Sequence, residues 1–244
     1  MEYVNTASNV FYLVAAYVGL QRARALQLPW SFFVAEYALV VVALGSVSFH
    51  YTQDWLYEIA DELPMSLLAV AYLYTIKELH WLVRGRCARL LFPLMHVATV
   101  GGWFVYFSLR NFDVFQALFT AQIAGPALIS LAAATSLDCS RKHWLLFLGL
   151  IVSGKALWTL ERHLWATHSC PASALNPLYW LHAAWHVLSA AAHAAAMVYH
   201  KELYLAARAL NVVAGGARAG APKKCASAED LALLADAFDV EAHS

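Results

Sequence analysis

The 244 residues of the chain are 61% apolar and 13% charged, and sixteen basic residues balance sixteen acidic ones. An ordinary soluble domain is nearer half apolar and a quarter charged, and a zero net charge does not indicate a nucleic-acid partner. A single soluble core cannot hide this much apolar surface, whereas lipid can. The composition therefore predicts an all-α polytopic membrane protein.

Seven apolar segments follow one another along the chain. They are residues 4–20, 31–51, 60–76, 90–109, 113–136, 143–163 and 178–199. Each has about the length that a helix needs to cross ~30 Å of hydrocarbon. We therefore expect a seven-helix transmembrane domain over residues 1–202. Residues 203–244 are rich in Ala and Gly, which predicts a flexible tail.

The charges of the loops predict the orientation of the bundle. Thirteen of the sixteen basic residues fall on one side: Arg22, Arg24, Lys77, Arg84, Arg86, Arg89, Arg141, Lys142, Lys201, Arg208, Arg218, Lys223 and Lys224. Because cytosolic loops carry the excess of Lys and Arg, we expect a cytosolic C-terminus and an N-terminus that lies outside or in a lumen.

Ionisable residues inside apolar segments are candidates for function, and here they collect at one end of the predicted bundle. His182 and His186 are four residues apart, so one helix face presents both imidazoles. His50 would lie at similar depth and is the natural third ligand of a catalytic zinc site. Asp61 could accept the proton of a water molecule and pass it to a leaving group, and Ser46 could donate to a developing oxyanion.

Other interpretations of these residues stay open. A histidine on an apolar helix is more often a hydrogen-bonded core residue than a ligand, which is our expectation for His96. His193 shares the face of His186 and could substitute as a ligand about two turns deeper. Asp61 could also cap the third helix, with Pro64 tolerated in its first turn.

Four further expectations concern the surroundings of the site. Glu62 is expected to pair with a cation such as Lys155. Trp185 and Tyr179 are expected to pack at the membrane interface. Because Cys170 alone would lie on the lumenal side, we expect no disulfide within the chain. The tail is expected to be solvated.

Three motifs together resemble the alkaline ceramidase family. They are Glu2-Tyr3-Val4-Asn5-Thr6-Ala7-Ser8-Asn9, then Ser46 to His50 followed by Asp61-Glu62-Leu63-Pro64-Met65, and His182-Ala183-Ala184-Trp185-His186. The similarity runs from residue 1 to about residue 200. It implies a seven-span hydrolase of the endoplasmic reticulum or Golgi that cleaves ceramide, a linear amide, to a sphingoid base and a free fatty acid. It also implies zinc held by His50, His182 and His186, with roles for Ser46 and Asp61.

One motif of the family is absent from the start of this sequence. The family has an acidic stretch before the first helix that supplies most ligands of a calcium site. Here Glu2 alone matches a calcium ligand, so a complete calcium site is not expected from this sequence.

Three other classes compete with a zinc-dependent amidase. A seven-helix receptor resembling the adiponectin receptors would hold zinc structurally and show little or no turnover. A retinal protein needs a Schiff-base lysine, and segment 178–199 has none. A transporter would need buried charges along a path, whereas these gather at one end.

Overall fold

A computed structural model describes residues 2–77, 86–137, 139–169, 171 and 173–216. Within these residues the chain is helical and contains no strand. The helices are α1 (Tyr3–Ser8), α2 (Val10–Ala25), α3 (Trp30–Thr52), α4 (Trp55–Lys77), α5 (Arg86–Leu109), α6 (Phe112–Leu137), α7 (Lys142–Ala166) and α8 (Leu181–Gly216), with a 3-10 turn at Pro177–Trp180. The predicted all-α class is confirmed.

The helices form a membrane bundle. Helices α3, α4, α5, α6 and α7 have the length and apolarity to cross a bilayer. Large apolar side chains point outward, and Val100 and Phe104 of α5 are 72% and 74% exposed. Since a water-soluble surface would not display so many of them, the chain is an integral multi-pass membrane protein. The orientation of its ends stays a prediction.

Helices α4 and α8 exceed the lengths that the hydropathy pattern indicates by the most. Helix α4 begins at Trp55, where the backbone N–H of Leu56 donates to the Asp54 carboxylate at 2.8 Å. Asp54 therefore occupies the capping position, and the alternative that Asp61 caps this helix is wrong. Asp61 lies well inside α4, as does Pro64.

Helix α8 continues past the expected domain boundary at residue 202. It ends at Gly216, and Leu203, Ala206 and Ala207 are buried against the bundle. The beginning of the expected tail is thus helical. Residues 217–244 lie outside the described part of the chain.

The order of packing brings distant segments to one end of the bundle. Helix α3 packs mainly on α4, and α7 packs mainly on α8. Helix α2 packs on both α3 and α8, and α1 lies against the same two helices. The C-terminal end of α3 and the N-terminal end of α8 therefore meet beneath α1.

The contact between α3 and α4 depends on one glycine. A Cβ at Gly45 would lie 1.8 Å from the carbonyl oxygen of Ala60. That carbonyl has no helical N–H partner four residues on, because residue 64 is proline. The close approach places Ser46 of α3 beside Asp61 of α4.

The expectation of no disulfide is wrong at one position, since Cys139 is disulfide-bonded. The side chains of Cys87, Cys170 and Cys225 lie outside the described part of the chain. The expectation used the predicted side of the membrane for each cysteine. It did not use the distances between cysteines, which only the folded chain defines.

Candidate metal centre and active site

The structure brings together the three histidines that the sequence singles out. His50 comes from the last turns of α3, and His182 and His186 come from the first two turns of α8. One ligand atom from each ring lies within 4.8 Å of the other two. No other group of three metal-binding side chains occurs among the described residues. His50 and His186 are buried, and each is only 2% exposed.

Each ring has a hydrogen-bond partner at its Nδ1 atom. For His50 this partner is the Glu2 carboxylate at 2.7 Å, and for His182 it is the Glu161 carboxylate at 3.3 Å. For His186 it is the Ser8 hydroxyl at 2.7 Å. The three partners come from the N-terminus, α7 and α1, so separate elements orient the three rings.

The direction of these hydrogen bonds follows from the partners. The Ser8 hydroxyl donates to the backbone carbonyl of Asn5 at 2.9 Å, so its oxygen accepts from Nδ1 of His186. Carboxylates also accept. All three Nδ1 atoms are then donors, and each Nε2 atom keeps its lone pair for a metal.

The three Nε2 atoms are suited to bind a zinc ion. Nε2 of His50 is buried and has no hydrogen-bond partner. An uncompensated polar atom in a protein interior is costly, and a metal ion would satisfy it. Three neutral imidazoles with acceptors behind them are the usual protein ligands of a catalytic zinc.

Glu2 binds His50 at two points. Its backbone N–H donates to the His50 carbonyl oxygen at 2.9 Å, in addition to the contact between side chains. Burial alone would raise the pKa of Glu2. Hydrogen bonds from His50 and Asn5, together with electrostatic attraction to His50 and His182, outweigh burial and lower that pKa from 4.5 to about 2. Glu2 is thus an anion held over the histidines.

Ser46 and Asp61 share a cavity of about 160 Å³ with the three histidines. Ser46 is buried and its Oγ has no hydrogen-bond partner of ordinary geometry, although the Asp61 side chain is close by. Glu2 also lines the cavity. All six residues of the predicted site therefore lie around one space.

Two residues that line this cavity, Trp185 and Glu62, have different neighbours from those that the sequence predicts. Trp185 is a core residue and not an interfacial one, since it is 3% exposed and stacks on Trp158 at 4.9 Å. Glu62 accepts from the hydroxyl of Tyr106, and Lys155 instead donates to Gln116. The expected pair of Glu62 and Lys155 is therefore wrong, because the two side chains leave their helices toward different neighbours.

Neither His96 nor His193 joins the metal centre. Both ring nitrogens of His193 are engaged, one by Glu36 and one by Tyr72, each at 2.8 Å. His96 contacts Tyr74 at 2.8 Å and the Phe92 carbonyl at 2.7 Å. Hydrogen bonds therefore account for both rings.

An apolar pocket of about 40 Å³ continues from the cavity into the bundle. Tyr12, Met65 and Trp185 line both spaces. Leu39, Leu68 and Phe119 are among the deeper lining residues. The polar centre therefore borders a space suited to hydrocarbon.

Sequence reasoning missed Ser8 and Glu161. Glu161 carries a usable signal, because it is an acid within an apolar segment. Ser8 carries none of its own, since its contact with His186 depends on how α1 lies across the bundle.

Two comparisons with known proteins identify similar sequences. The sequence profile of the ceramidase family, described as "Ceramidase", matches residues 1–211. An alkaline ceramidase of Arabidopsis thaliana is 29% identical over 91 residues, which cover 37% of this chain and 36% of that relative. The aligned region thus spans about a third of the relative's length.

Proposed function

The chain belongs to the ceramidase family, and from this premise we propose that it hydrolyses the N-acyl amide bond of ceramide. The products are a sphingoid base and a free fatty acid. The observation that carries the proposal is the single cavity that Ser46, Asp61 and three oriented histidines share inside a membrane bundle. A substrate that resides in the bilayer suits a site built there.

His50, His182 and His186 would hold zinc through Nε2. Zinc bound there would polarise the amide carbonyl and make water a stronger nucleophile near neutral pH. Glu2, Glu161 and Ser8 keep the three rings in the tautomer and orientation that this binding needs. Calcium binding by Glu2 stays a prediction that rests on the family resemblance. The hydrogen bonds that Glu2 makes with His50 favour a role in positioning the His50 ring.

Asp61 transfers the proton in the proposed reaction, and Ser46 stabilises the developing negative charge. Asp61 accepts a proton as water oxygen bonds to the acyl carbon, and it returns this proton to the amide nitrogen as the C–N bond breaks. Ser46, whose hydroxyl is otherwise unpartnered, donates to the oxyanion that develops on the acyl oxygen. The adjoining apolar pocket would take hydrocarbon from the substrate.

Two sets of variants test this proposal. Purified protein should hold about one zinc ion per chain. His182→Ala and His186→Ala should lose both zinc and ceramide cleavage. Asp61→Asn should keep zinc and lose cleavage. His143→Ala is the matched control, because His143 pairs with Glu202 away from the cavity. Full activity in both histidine variants would overturn the site.

The same experiment separates the enzyme from a receptor. A protein resembling the adiponectin receptors would bind zinc and leave ceramide intact, in the wild type as well as in Asp61→Asn. That the protein lies in the endoplasmic reticulum or Golgi membrane, with the site facing the lumen, stays a prediction. Imaging of the tagged protein in cells would test it.

A further inference from the structure

Lys155 lies in the middle of α7, in a stretch that is otherwise fit to span a membrane. Its Nζ donates to the side-chain oxygen of Gln116 in α6. Among the described residues, no carboxylate lies within 4.0 Å of this ammonium group. An ammonium group has three protons to donate, and Gln116 accepts one of them. Such a cation within a bilayer is costly and is by default a functional candidate.

The ammonium group lies directly outside the catalytic cavity. It is 5.5 Å from the ring centre of Trp158 and 5.7 Å from that of Phe119. Trp158 lines the catalytic cavity, and Phe119 lines the apolar pocket beneath it. Gln116 is one turn from the start of α6 at Phe112, which also lines the cavity. One layer of aromatic side chains therefore separates Lys155 from the site.

The outer face of α7 around Lys155 is a shallow depression of about 600 Å³ that is open on its outer side. It is lined by Val152, Lys155, Ala156, Thr159, Leu160 and His163. Their spacing of three and four residues places them on one side of the helix. Val152 is 58% exposed and Leu160 is 40% exposed, so the depression offers apolar surface on both sides of the cation.

We propose that this depression binds the free fatty acid that leaves the catalytic cavity, with its carboxylate on Lys155 and its chain along Val152, Ala156 and Leu160. The inference rests on the proposed function, because that reaction generates the fatty acid. The intact substrate is neutral at its amide. Once the C–N bond has been replaced by a C–O bond, the acyl product carries a carboxylate that pairs with the ammonium group. Lys155 thus favours the product over the substrate.

Direct binding tests the site without any turnover. The whole protein, loaded with zinc in lipid nanodiscs, is titrated with a photoreactive long-chain fatty acid, and the labelled residues are identified by mass spectrometry. Labelling should occur on α7 near Lys155. Lys155→Met keeps the side-chain length and removes the charge, so half-saturation should rise about tenfold or more.

Two variants provide controls. Lys155→Arg keeps a cation and should bind within about threefold of the wild type. Lys142→Met removes an exposed lysine at the far end of the same helix and should change nothing. Zinc content equal to that of the wild type establishes that each variant is folded. Unchanged binding in Lys155→Met would overturn the proposal.

Two further ligands identify the chemistry. The methyl ester of the same acid lacks the charge and should bind as weakly as the acid binds to Lys155→Met. An alkyl phosphate of equal chain length represents an anionic phospholipid, and tighter binding of it than of the acid would overturn the assignment to the product. Binding that depends on Lys155 in a protein without ceramide cleavage would uphold the carboxylate site and count against the proposed function.

Discussion

The orientation of the three histidines depends on the side chains that accept hydrogen bonds from their Nδ1 atoms. Glu161 holds Nδ1 of His182, and its carboxylate is buried in α7 behind the ring. Glu161→Leu should lower zinc affinity about 10- to 100-fold, because loss of such a partner frees the ring and weakens its basicity. Glu161→Gln keeps an acceptor and should lose less. Competition with a coloured chelator measures the affinity.

The other half of the bundle offers the matched control for Glu161. Glu202 makes a similar contact with Nδ1 of His143, at 2.9 Å, away from the cavity. Glu202→Leu should leave zinc affinity unchanged. Equal zinc affinity in Glu161→Leu and the wild type would show that the His182 ring is held by packing alone.

The sequence predicts the three histidines, Ser46 and Asp61 better than it predicts the side chains that hold the histidine rings, although Glu161 lines the same cavity. The spacing of His182 and His186, and the position of His50 at a helix end, identify side chains on one face at one depth. Ser8 and Glu161 depend on how α1 and α7 approach α8, and no local spacing encodes that approach. The same limit explains why the sequence suggests Lys155 as the partner of Glu62, whereas the partner is Tyr106.

Among the helices, the crossing of α3 and α4 controls the distance between Ser46 and Asp61. Gly45→Ala puts a methyl group against the Ala60 carbonyl, where only 1.8 Å is available, so the helices must separate. We expect a loss of stability of about 1–3 kcal/mol and a larger relative loss of ceramide cleavage. Thermal unfolding in detergent and turnover by the folded fraction measure the two effects.

Gly149→Ala is the control for this crossing. Gly149 lies inside α7, and a Cβ there would meet nothing within 4 Å. Alanine is the better helix former, so stability should be unchanged or slightly higher. If Gly45→Ala were as well tolerated as Gly149→Ala, the close crossing would not position the site.

Hydropathy predicts the five helices α3 to α7 closely, because length and apolarity decide which segments can enter a bilayer, whereas the first expected segment is divided into α1 and α2. It places their ends less well. Glu58, with Asp61 and Glu62 after it, lowers the hydropathy of the first turns of α4, and the Ala and Gly residues after Leu203 lower that of the last turns of α8. Both pieces are helical because they pack on neighbouring helices, which a window of sequence does not contain.

Across the whole molecule, a second polar cluster lies deeper in the bundle than the metal centre. Glu36 of α3 is fully buried and accepts from Nε2 of His193 at 2.8 Å. A Cβ at Gly19 would lie 2.0 Å from its carboxylate, so α2 covers it closely. Tyr72 of α4 completes the cluster at Nδ1 of His193. The Glu36–His193 pair thus links α3 to α8, and the hydrogen bond from Tyr72 links α4 to the same histidine.

Substitutions in this cluster should lower the stability of the protein without changing its zinc content. His193→Leu leaves the Glu36 carboxylate buried without its partner and should cost about 3–5 kcal/mol in an unfolding titration in detergent. The double variant His193→Leu with Glu36→Met removes both polar partners and should be more stable than the single one. Zinc content of the folded protein should match the wild type in both, since the metal centre lies elsewhere. Loss of zinc from folded His193→Leu would instead make His193 a ligand and contradict the three-histidine centre.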